Sequence, residues 1–453
     1  MNIVIAGAGK VGLTVARRLC KDGHDVTLID QRRAALESAS NEIDVIGCFG
    51  SCAAPSVLKE AEAGEADVFL AATGNDEANL VACQFARKMG AKHTIARLRS
   101  PEYLESVESL REIMDLTLAI NPDYVTAEEI SRVLQFPAAT QVDCFPDCEM
   151  EIVTFRVAEN SRLNGVQLTR LVSMFGQKVL VCCAERDGHY FIPDGSFVLR
   201  AGDHISVTAP PKALRKFFIS AGSYQKPVKN VVLLGGSRIS QHLSQLLEST
   251  GVRVTIIEAD YERCQILAES LESADIICSD GADISVLQSS GLADADGFVA
   301  LTNDDEDNII LSMYASKMGV EKVVTKVNNE KYTELLHGVF PETSISPKNL
   351  VSELIEGYVR SLAYASDKST IEAVYYIGGQ NVLATEFVVG AKAACVGVTL
   401  ADMRLKPGVL LASVIRRGKS FLPDGKTSLA PGDKVIVVTA GHSISDIDDI
   451  LAR

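Results

Sequence analysis

Residues 7 to 12 read Gly7-Ala8-Gly9-Lys10-Val11-Gly12, and Asp30 follows the last of these glycines by 18 residues. Residues of these types at this spacing can hold a pyrophosphate and a ribose. Gly7 permits a tight turn, Gly9 lets the backbone approach an anion with no Cβ in the way, and Gly12 lets the next helix pack closely. That helix then points its free N–H groups at the phosphates. Asp30 can accept hydrogen bonds from both ribose hydroxyls and would repel the extra phosphate of NADP, which Arg32 and Arg33 beside it could instead accommodate. A turn kept for packing alone is the other reading, and a glycine pattern by itself does not decide between them.

Such a turn works only between a strand and a helix, and the flanking residues supply both. Ile3-Val4-Ile5-Ala6 reads as a buried strand, Leu13 to Asp22 as a helix, and the stretch ending at Asp30 as a second strand. The same order recurs as Val231-Val232-Leu233-Leu234, then Gly235-Gly236-Ser237-Arg238-Ile239-Ser240, a helix, and Val254 to Glu258, with the acid again 18 residues past the turn. The duplication continues: Ala72 to Asn79 recurs as Leu301 to Asn308, and Arg97 to Tyr103 as Lys326 to Tyr332. Pro193-Asp194-Gly195 and Ala201-Gly202-Asp203 recur as Pro423-Asp424-Gly425 and Pro431-Gly432-Asp433, so the chain consists of two halves of one plan. The second turn is altered where it matters. Ser237 replaces the close-approach glycine and Ser240 the helix-packing glycine, so a Cβ and a hydroxyl intrude on the pyrophosphate's space. Glu258 keeps the ribose acceptor and Arg238 offers a compensating charge, which leaves nucleotide binding and a structural copy both open there.

After Asp30, helices (Arg33 to Asn41, Val57 to Glu62, Glu77 to Met89) alternate with apolar strands (Val45 to Cys48, Val68 to Ala72, Thr94 to Ala96). This pattern predicts a parallel sheet covered on both faces. A helical segment from Pro122 to Leu134 leads out to a boundary at Pro137, and short strands separated by turn signals follow (Ile152 to Val157, Lys178 to Val181, His204 to Val207). The expected class is α/β: two tandem Rossmann-type parallel-sheet domains, 1–124 and 228–348, each followed by a small α+β subdomain, 140–222 and 368–453. Ala221 to Lys229 reads as the linker between halves.

A length of 453 residues fits two to four domains. The formal charge of −15 repels phosphate backbones and argues against nucleic acid as a partner. No apolar run is long enough to span a membrane, and the first residues already read as a strand, so a soluble cytoplasmic protein is expected. Eleven cysteines in apolar contexts fit reduced thiols.

Catalytic readings find little support. A dehydrogenase would place a proton donor beside its cofactor domain, commonly a histidine, but the seven histidines (His24, His93, His189, His204, His242, His337, His442) do not recur at equivalent places and read as surface or loop residues. Cys48 with Cys52 and Cys144 with Cys148 lack the further ligands a zinc site needs and read as buried or loop thiols. Asp76-Glu77 and Asp304-Asp305-Glu306 read as solvated helix starts at the positive dipole end.

The glycine turn with Asp30, the Ala72 to Asn79 segment and Ala96-Arg97-Leu98-Arg99 together resemble the RCK (KTN) domain, the regulator of conductance of potassium, and the Pro-Asp-Gly and Gly-Asp segments resemble its C-terminal companion. Two such pairs in tandem resemble the peripheral nucleotide-binding subunits of Trk potassium uptake systems. The resemblance implies a non-enzymatic regulatory homotetramer, peripherally bound to the inner face of the cell membrane on a membrane potassium-translocating Trk subunit. It implies NAD(H) in the first half, with ATP, ADP or another adenine nucleotide at either half. By the same resemblance Gly7, Ala8, Gly9, Lys10, Val11 and Gly12 would hold the pyrophosphate and Asp30 the ribose. Ser51 stands where the family usually has an acid near the adenine, Thr73 and Gly74 border the ligand, and Arg97 or Arg99 meet phosphates. The matching positions in the second half are Gly235, Gly236, Ser237, Arg238, Ile239, Glu258, Asp280, Thr302 and Lys326. Asp280 keeps the acid that Ser51 lacks and Asn328 loses the charge of Arg99, so the two sites are expected to prefer different ligands. An NAD-dependent oxidoreductase with a duplicated body is the alternative class. The segments Thr126 to Leu134 and Leu350 to Leu362, with Ile130, Val133, Leu354 and Ile355 at helical spacing, fit helices that bind a neighbouring domain and equally fit core helices.

Overall fold

The computed structural model describes residues 1–104, 107–136, 139–145, 150–222, 228–329, 331–332, 343–363, 369–377, 382–440 and 444–452. Pro137, the Cys144 and Cys148 pairing, Glu330, His337, His442 and most of the expected linker lie outside the described residues.

Near-continuous apolar strands alternate with helices in the first stretch, and they form a parallel sheet. Strands β1 (Asn2–Ala6), β2 (Asp25–Asp30), β3 (Ile46–Phe49), β4 (Val68–Ala71), β5 (His93–Arg97) and β6 (Leu118–Ile120) lie in the order β3-β2-β1-β4-β5-β6. The order reverses between β1 and β4, where a doubly wound sheet opens its ligand crevice. Strands β7 (Ala139–Cys144), β8 (Glu151–Arg156), β9 (Leu180–Arg186), β10 (His189–Phe191) and β11 (His204–Ala209) then make an antiparallel sheet ordered β10-β9-β11-β8-β7. The second half repeats both. Strands β12 (Asn230–Leu234), β13 (Arg253–Glu258), β14 (Asp275–Cys278), β15 (Gly297–Ala300), β16 (Lys322–Lys326) and β17 (Thr343–Ile345) form the parallel sheet β14-β13-β12-β15-β16-β17. Strands β18 (Ser369–Tyr376), β19 (Val382–Val389), β20 (Val409–Arg416), β21 (Lys419–Phe421) and β22 (Lys434–Ala440) complete the antiparallel sheet β18-β19-β22-β20-β21.

The compact units cut across the halves. One unit gathers both parallel-sheet domains, Met1–Ile130 with Asn230–Glu356; the other gathers both antiparallel sheets, Ser131–Lys229 with Gly357–Arg453. In the first unit Arg18 of the first half reaches Glu353 and Glu356 of the second, both at 3.1 Å, with the Glu356 side chain almost fully buried. In the second unit Phe145, Ile152 and Cys182 of one half share an apolar cluster with Ile377, Val382 and Ile436 of the other. In each unit, therefore, one half meets the other half of the same chain.

Each parallel sheet is stapled at its carboxyl edge by a buried asparagine. Asn79 accepts the N–H of Thr73 at 3.0 Å and its hydroxyl at 2.6 Å, and donates to the carbonyls of Thr73 and Arg97. Asn308 repeats these bonds with Thr302 and Lys326. Both asparagines are 0% exposed, so the ends of the fourth and fifth strands are tied by groups with no access to water.

Several expectations need correction. The acids at the helix starts are not merely solvated: Asp76 accepts the N–H groups of Arg99 and Ser100, both at 2.7 Å, and Asp305 is buried, accepting those of Asn328 and Asn329. The chain leaving the fifth strand has unpaired N–H groups, and these carboxylates satisfy them. His242 is neither surface nor loop. It is buried on the helix Arg238–Glu248, edge-on to Tyr124 at 5.7 Å, because the facing half covers it. His93 and His204 are half-buried on strands, whereas His189, also on a strand, is exposed at the surface as expected. The expected strand from Lys178 to Val181 runs instead over Leu180–Arg186, and Ala221 ends a helix, Pro211–Ala221, where a linker was expected to begin. Leu214, Phe217 and Phe218 bury one face of that helix, a 3.6-residue pattern that the turn signals before it obscured. Ile130, Val133 and Ile355 are buried within the single chain, as core helices require. The nine described cysteines with described side chains are free thiols. Among the described residues no helix is long and apolar enough to cross a membrane.

Replacing Asn79 with Ala should lower stability by about 1–3 kcal/mol, since it strands buried donors and acceptors; chemical denaturation would measure this. Lys322 is buried, with its ammonium donating to Thr343, and burial pulls its pKa down to about 7. Between that value and the ordinary lysine range the unfolded chain binds more protons than the folded one, so stability rises with pH from about 7 upward. The melting temperature should therefore climb less steeply between neutral and alkaline pH in Lys322→Met than in the parent.

Candidate functional site

The first turn is held by contacts that leave glycine little alternative at two of its three positions. Gly7 sits at φ +107 and donates to the Ile29 carbonyl at 2.7 Å. A Cβ on Gly12 would lie 1.9 Å from the Gly7 carbonyl oxygen, so the helix Lys10–Lys21 rests directly on the turn. A Cβ on Gly9 would meet nothing within 4 Å; it would project into open space at the helix N-terminus, and no side chain caps that terminus. The first-turn N–H groups thus face the crevice, where an anion is favoured.

Asp30 ends β2 beside this turn. Its carboxylate accepts the Ala8 N–H at 2.7 Å, the Arg32 N–H at 2.9 Å and the Arg32 guanidinium at 3.1 and 3.2 Å. Burial pushes the carboxyl pKa up, but the hydrogen bonds from Arg32 and Ala8 outweigh it and hold the group below the ordinary range, so Asp30 is charged. The Arg32 side chain is 65% exposed and can swing aside for a ribose. Arg33 turns away from the crevice to stack on Phe49 at 4.5 Å.

The cleft over this turn has a volume of about 820 Å³ and is lined by both halves. Gly7, Gly9, Lys10, Val11, Asp30, Ser51, Thr73, Gly74, Arg97 and Arg99 line it from the first half, whereas Ala8 and Gly12 lie beneath the surface of the turn. Ile239 and Lys326, expected at the second site, face this first one, joined by Asn303, Asn328, Pro347 and Lys348. Six cations thus surround it against two carboxylates, Asp30 and Asp123. Arg97 donates to the Thr73 carbonyl at 3.2 Å while its buried Nε has no hydrogen-bond partner among the described residues; burial and then Arg99 lower its pKa. Arg99 pairs with Asp123 through two hydrogen bonds, at 2.8 and 3.2 Å. The Thr73 hydroxyl is engaged within the turn, donating to Asn79 and accepting from the Asn75 N–H, so Thr73 offers a ligand mainly its backbone. Lys348 and Asp123 escaped the sequence reading, although the repeated Pro122 and Pro347 just before them mark equivalent places after the last strand of each sheet.

The second turn closes on itself. Ser237 accepts the Ser240 N–H, capping the helix Arg238–Glu248, and the Ser240 hydroxyl donates to the Gly235 carbonyl. Arg263 donates to the carbonyls of Gly236 and Ser237, and Arg238 points away to the Arg99 carbonyl at 3.5 Å. Gly235, Gly236, Ser237, Glu258, Asp280 and Thr302 line a separate cleft of about 480 Å³. Here one arginine, Arg263, faces four carboxylates, Glu258, Asp260, Asp280 and Asp307.

With this geometry in place the comparisons with known proteins are decisive. Residues 3–122 and 231–347 match the TrkA-N domain, and residues 152–218 and 384–452 match the TrkA-C domain. The chain belongs to the TrkA family. It is 30% identical over 451 residues to the Trk system potassium uptake protein TrkA homolog of Archaeoglobus fulgidus, covering 99% of this chain and 100% of that one. It is 28% identical over 453 residues to the Trk system potassium uptake protein TrkA of Vibrio alginolyticus, covering 99% and 98%. Among solved structures, the GsuK channel bound to NAD aligns with a TM-score of 0.64 at 17% identity, over 97% of this chain and 76% of that one, a likeness of fold.

In this TrkA-family chain the contact of Gly12 with Gly7 sets where the helix N-terminus points. Gly12→Ala should cost about 1–3 kcal/mol through overpacking, read by thermal unfolding.

Proposed function

We propose that this TrkA-family chain is the nucleotide-sensing regulatory subunit of a potassium uptake system. It takes NAD(H) in its first cleft, with ATP or ADP as competing ligands, and gates a membrane potassium-translocating Trk subunit from the inner face of the cell membrane. The observation that carries this reading is the first cleft itself: an uncapped helix N-terminus, a charged Asp30 and six surrounding cations, supplied by both halves. Pyrophosphate on the turn between Gly7 and Gly12 and ribose on Asp30 account for these groups together. Lys326 and Lys348 reach such a ligand only while the second half stands against the first, so binding favours that arrangement over any that parts them.

The Trk names of the relatives favour regulation over the oxidoreductase alternative. A turnover screen for hydride transfer from NADH would separate the two. The four-domain division, 1–124, 140–222, 228–348 and 368–453, belongs to the same reading. A homotetramer is supported by apolar residues left exposed on one face of the helix Asp305–Lys317, Ile310 and Met313, with Val81 at the position matching Ile310. Light scattering at micromolar concentration should return the tetramer, and a monomer would count against it.

Gly9→Val should abolish NADH binding with the melting temperature unchanged, because the new side chain enters only open space; unchanged affinity in calorimetry would sink the assignment. Replacing Arg97 and Arg99 with Ala should weaken the effect of NADH or ATP on potassium flux by about tenfold or more in ligand concentration, given the strength of charge-assisted bonds. Assembly should persist. Undiminished nucleotide control of the reconstituted system would show that the arginines are not the switch.

A further inference from the structure

The second cleft differs from the first in ways that point one way. Its helix N-terminus is partly capped: Ser237 accepts the Ser240 N–H, one of the first-turn groups that would otherwise face an anion. Its lining carries four carboxylates and a single arginine, and Arg263 is already committed to the carbonyls of Gly236 and Ser237 and to Gln241. A phosphate placed there would meet like charge from the carboxylates and a helix N-terminus with one of its N–H groups already capped.

The ribose position, by contrast, is kept and better presented than in the first cleft. Glu258 accepts one backbone N–H on each oxygen, from Gly236 at 2.6 Å and Asp260 at 2.8 Å. Asp30 carries the Arg32 guanidinium as well, whereas among the described residues Glu258 has no salt bridge, so each of its oxygens has a lone pair for a hydroxyl. Residue 236 is glycine where the first half has Ala8, and a Cβ there would stand 2.6 Å from Leu267 Cδ1 and 3.0 Å from Glu258 Cγ and Oε2, so the turn lies close against both side chains. Asp280 accepts the Ala282 N–H with one oxygen at 2.9 Å and offers the other from the rim, an acceptor suited to an exocyclic amine of a base.

We propose that the second cleft is a nucleoside site, holding an adenosine-class ligand by its ribose on Glu258 and excluding the phosphorylated forms that suit the first cleft. The two clefts of one chain thus report on different chemistry, a phosphorylated nucleotide in one and a nucleoside in the other. The inference stands apart from the NAD reading of the first cleft, since it rests only on residues of the second.

The test is calorimetry on the full-length chain with the first cleft disabled by Gly9→Val and Asp30→Asn, titrated with adenosine, ADP and NAD. Adenosine should bind once per chain and at least about tenfold more tightly than ADP, the margin expected from a partly capped helix N-terminus and from like charge. Adding Glu258→Gln should remove adenosine binding. Adding Ser237→Gly with Ser240→Gly, or Asp307→Asn at the rim, should tighten ADP several-fold while sparing adenosine, and either keeps the proposal open to refutation should the Glu258 variant fail to fold. ADP binding as tightly as adenosine, no adenosine binding, or indifference to Glu258→Gln would each overturn it. Retention of NAD binding by the parent chain is a separate readout, so failure here and failure of the first-cleft assignment are distinguishable.

Discussion

The approach of residue 12 to the Gly7 carbonyl is the contact on which the first cleft depends. With a Cβ excluded at 1.9 Å, the helix Lys10–Lys21 can lie against the turn, and its first-turn N–H groups come to the sheet's carboxyl edge beside Asp30. The second half shows the alternative solution to the same geometry. Ser240 stands at the equivalent position with its hydroxyl donating to the Gly235 carbonyl, and Ser237 caps the Ser240 N–H. Two serines therefore preserve the fold and change what the crevice can receive. A fold can keep its packing while the chemistry of its edge is rewritten.

Electrostatics follows the same division. The chain carries a net charge of −15, yet the first cleft concentrates cations from both halves, and this contrast steers an anion to one place on an otherwise repelling surface. The contribution of the second half to the first cleft comes from Lys326 and Lys348, positioned by β16 and by the start of the helix Pro347–Ala363. Lys326 is the counterpart of Arg97, and each ends the fifth strand of its own sheet. The duplication thus brings two equivalent cations into one crevice, which a single copy would not do alone.

Most of the architecture was legible because period and punctuation agreed. The apolar runs of β1, β4, β12 and β15 alternate with helices of matching length, and the register between turn and acid repeats in both halves. What escaped was whatever depends on the facing half. His242 reads as a lone polar residue and is buried on its helix, edge-on to Tyr124 of the other half; Lys326 and Ile239 read as second-site residues and line the first cleft. Asn79 and Asn308 stood inside quoted motifs without a role, since a buried staple and an exposed asparagine look alike in one dimension. The self-capping of the second turn was half visible: Ser237 and Ser240 were read as steric intrusions, whereas their effect is mainly to consume the N–H and carbonyl groups that a phosphate or a helix would otherwise meet.

The charge distribution of the first cleft also gives a ligand a reason to matter to conformation. Arg97 is held below its ordinary pKa by burial and by Arg99, and Lys326 by burial and by Lys10 and Arg99 against the pull of Asp305 and Asp123. These cations are crowded and partly desolvated before any ligand arrives, a cost that falls on the arrangement in which the two halves meet. An anion bound between them offsets that cost in this arrangement and offers nothing comparable once the halves separate and water screens each charge. The difference in affinity between the two arrangements is what a ligand needs in order to shift a population.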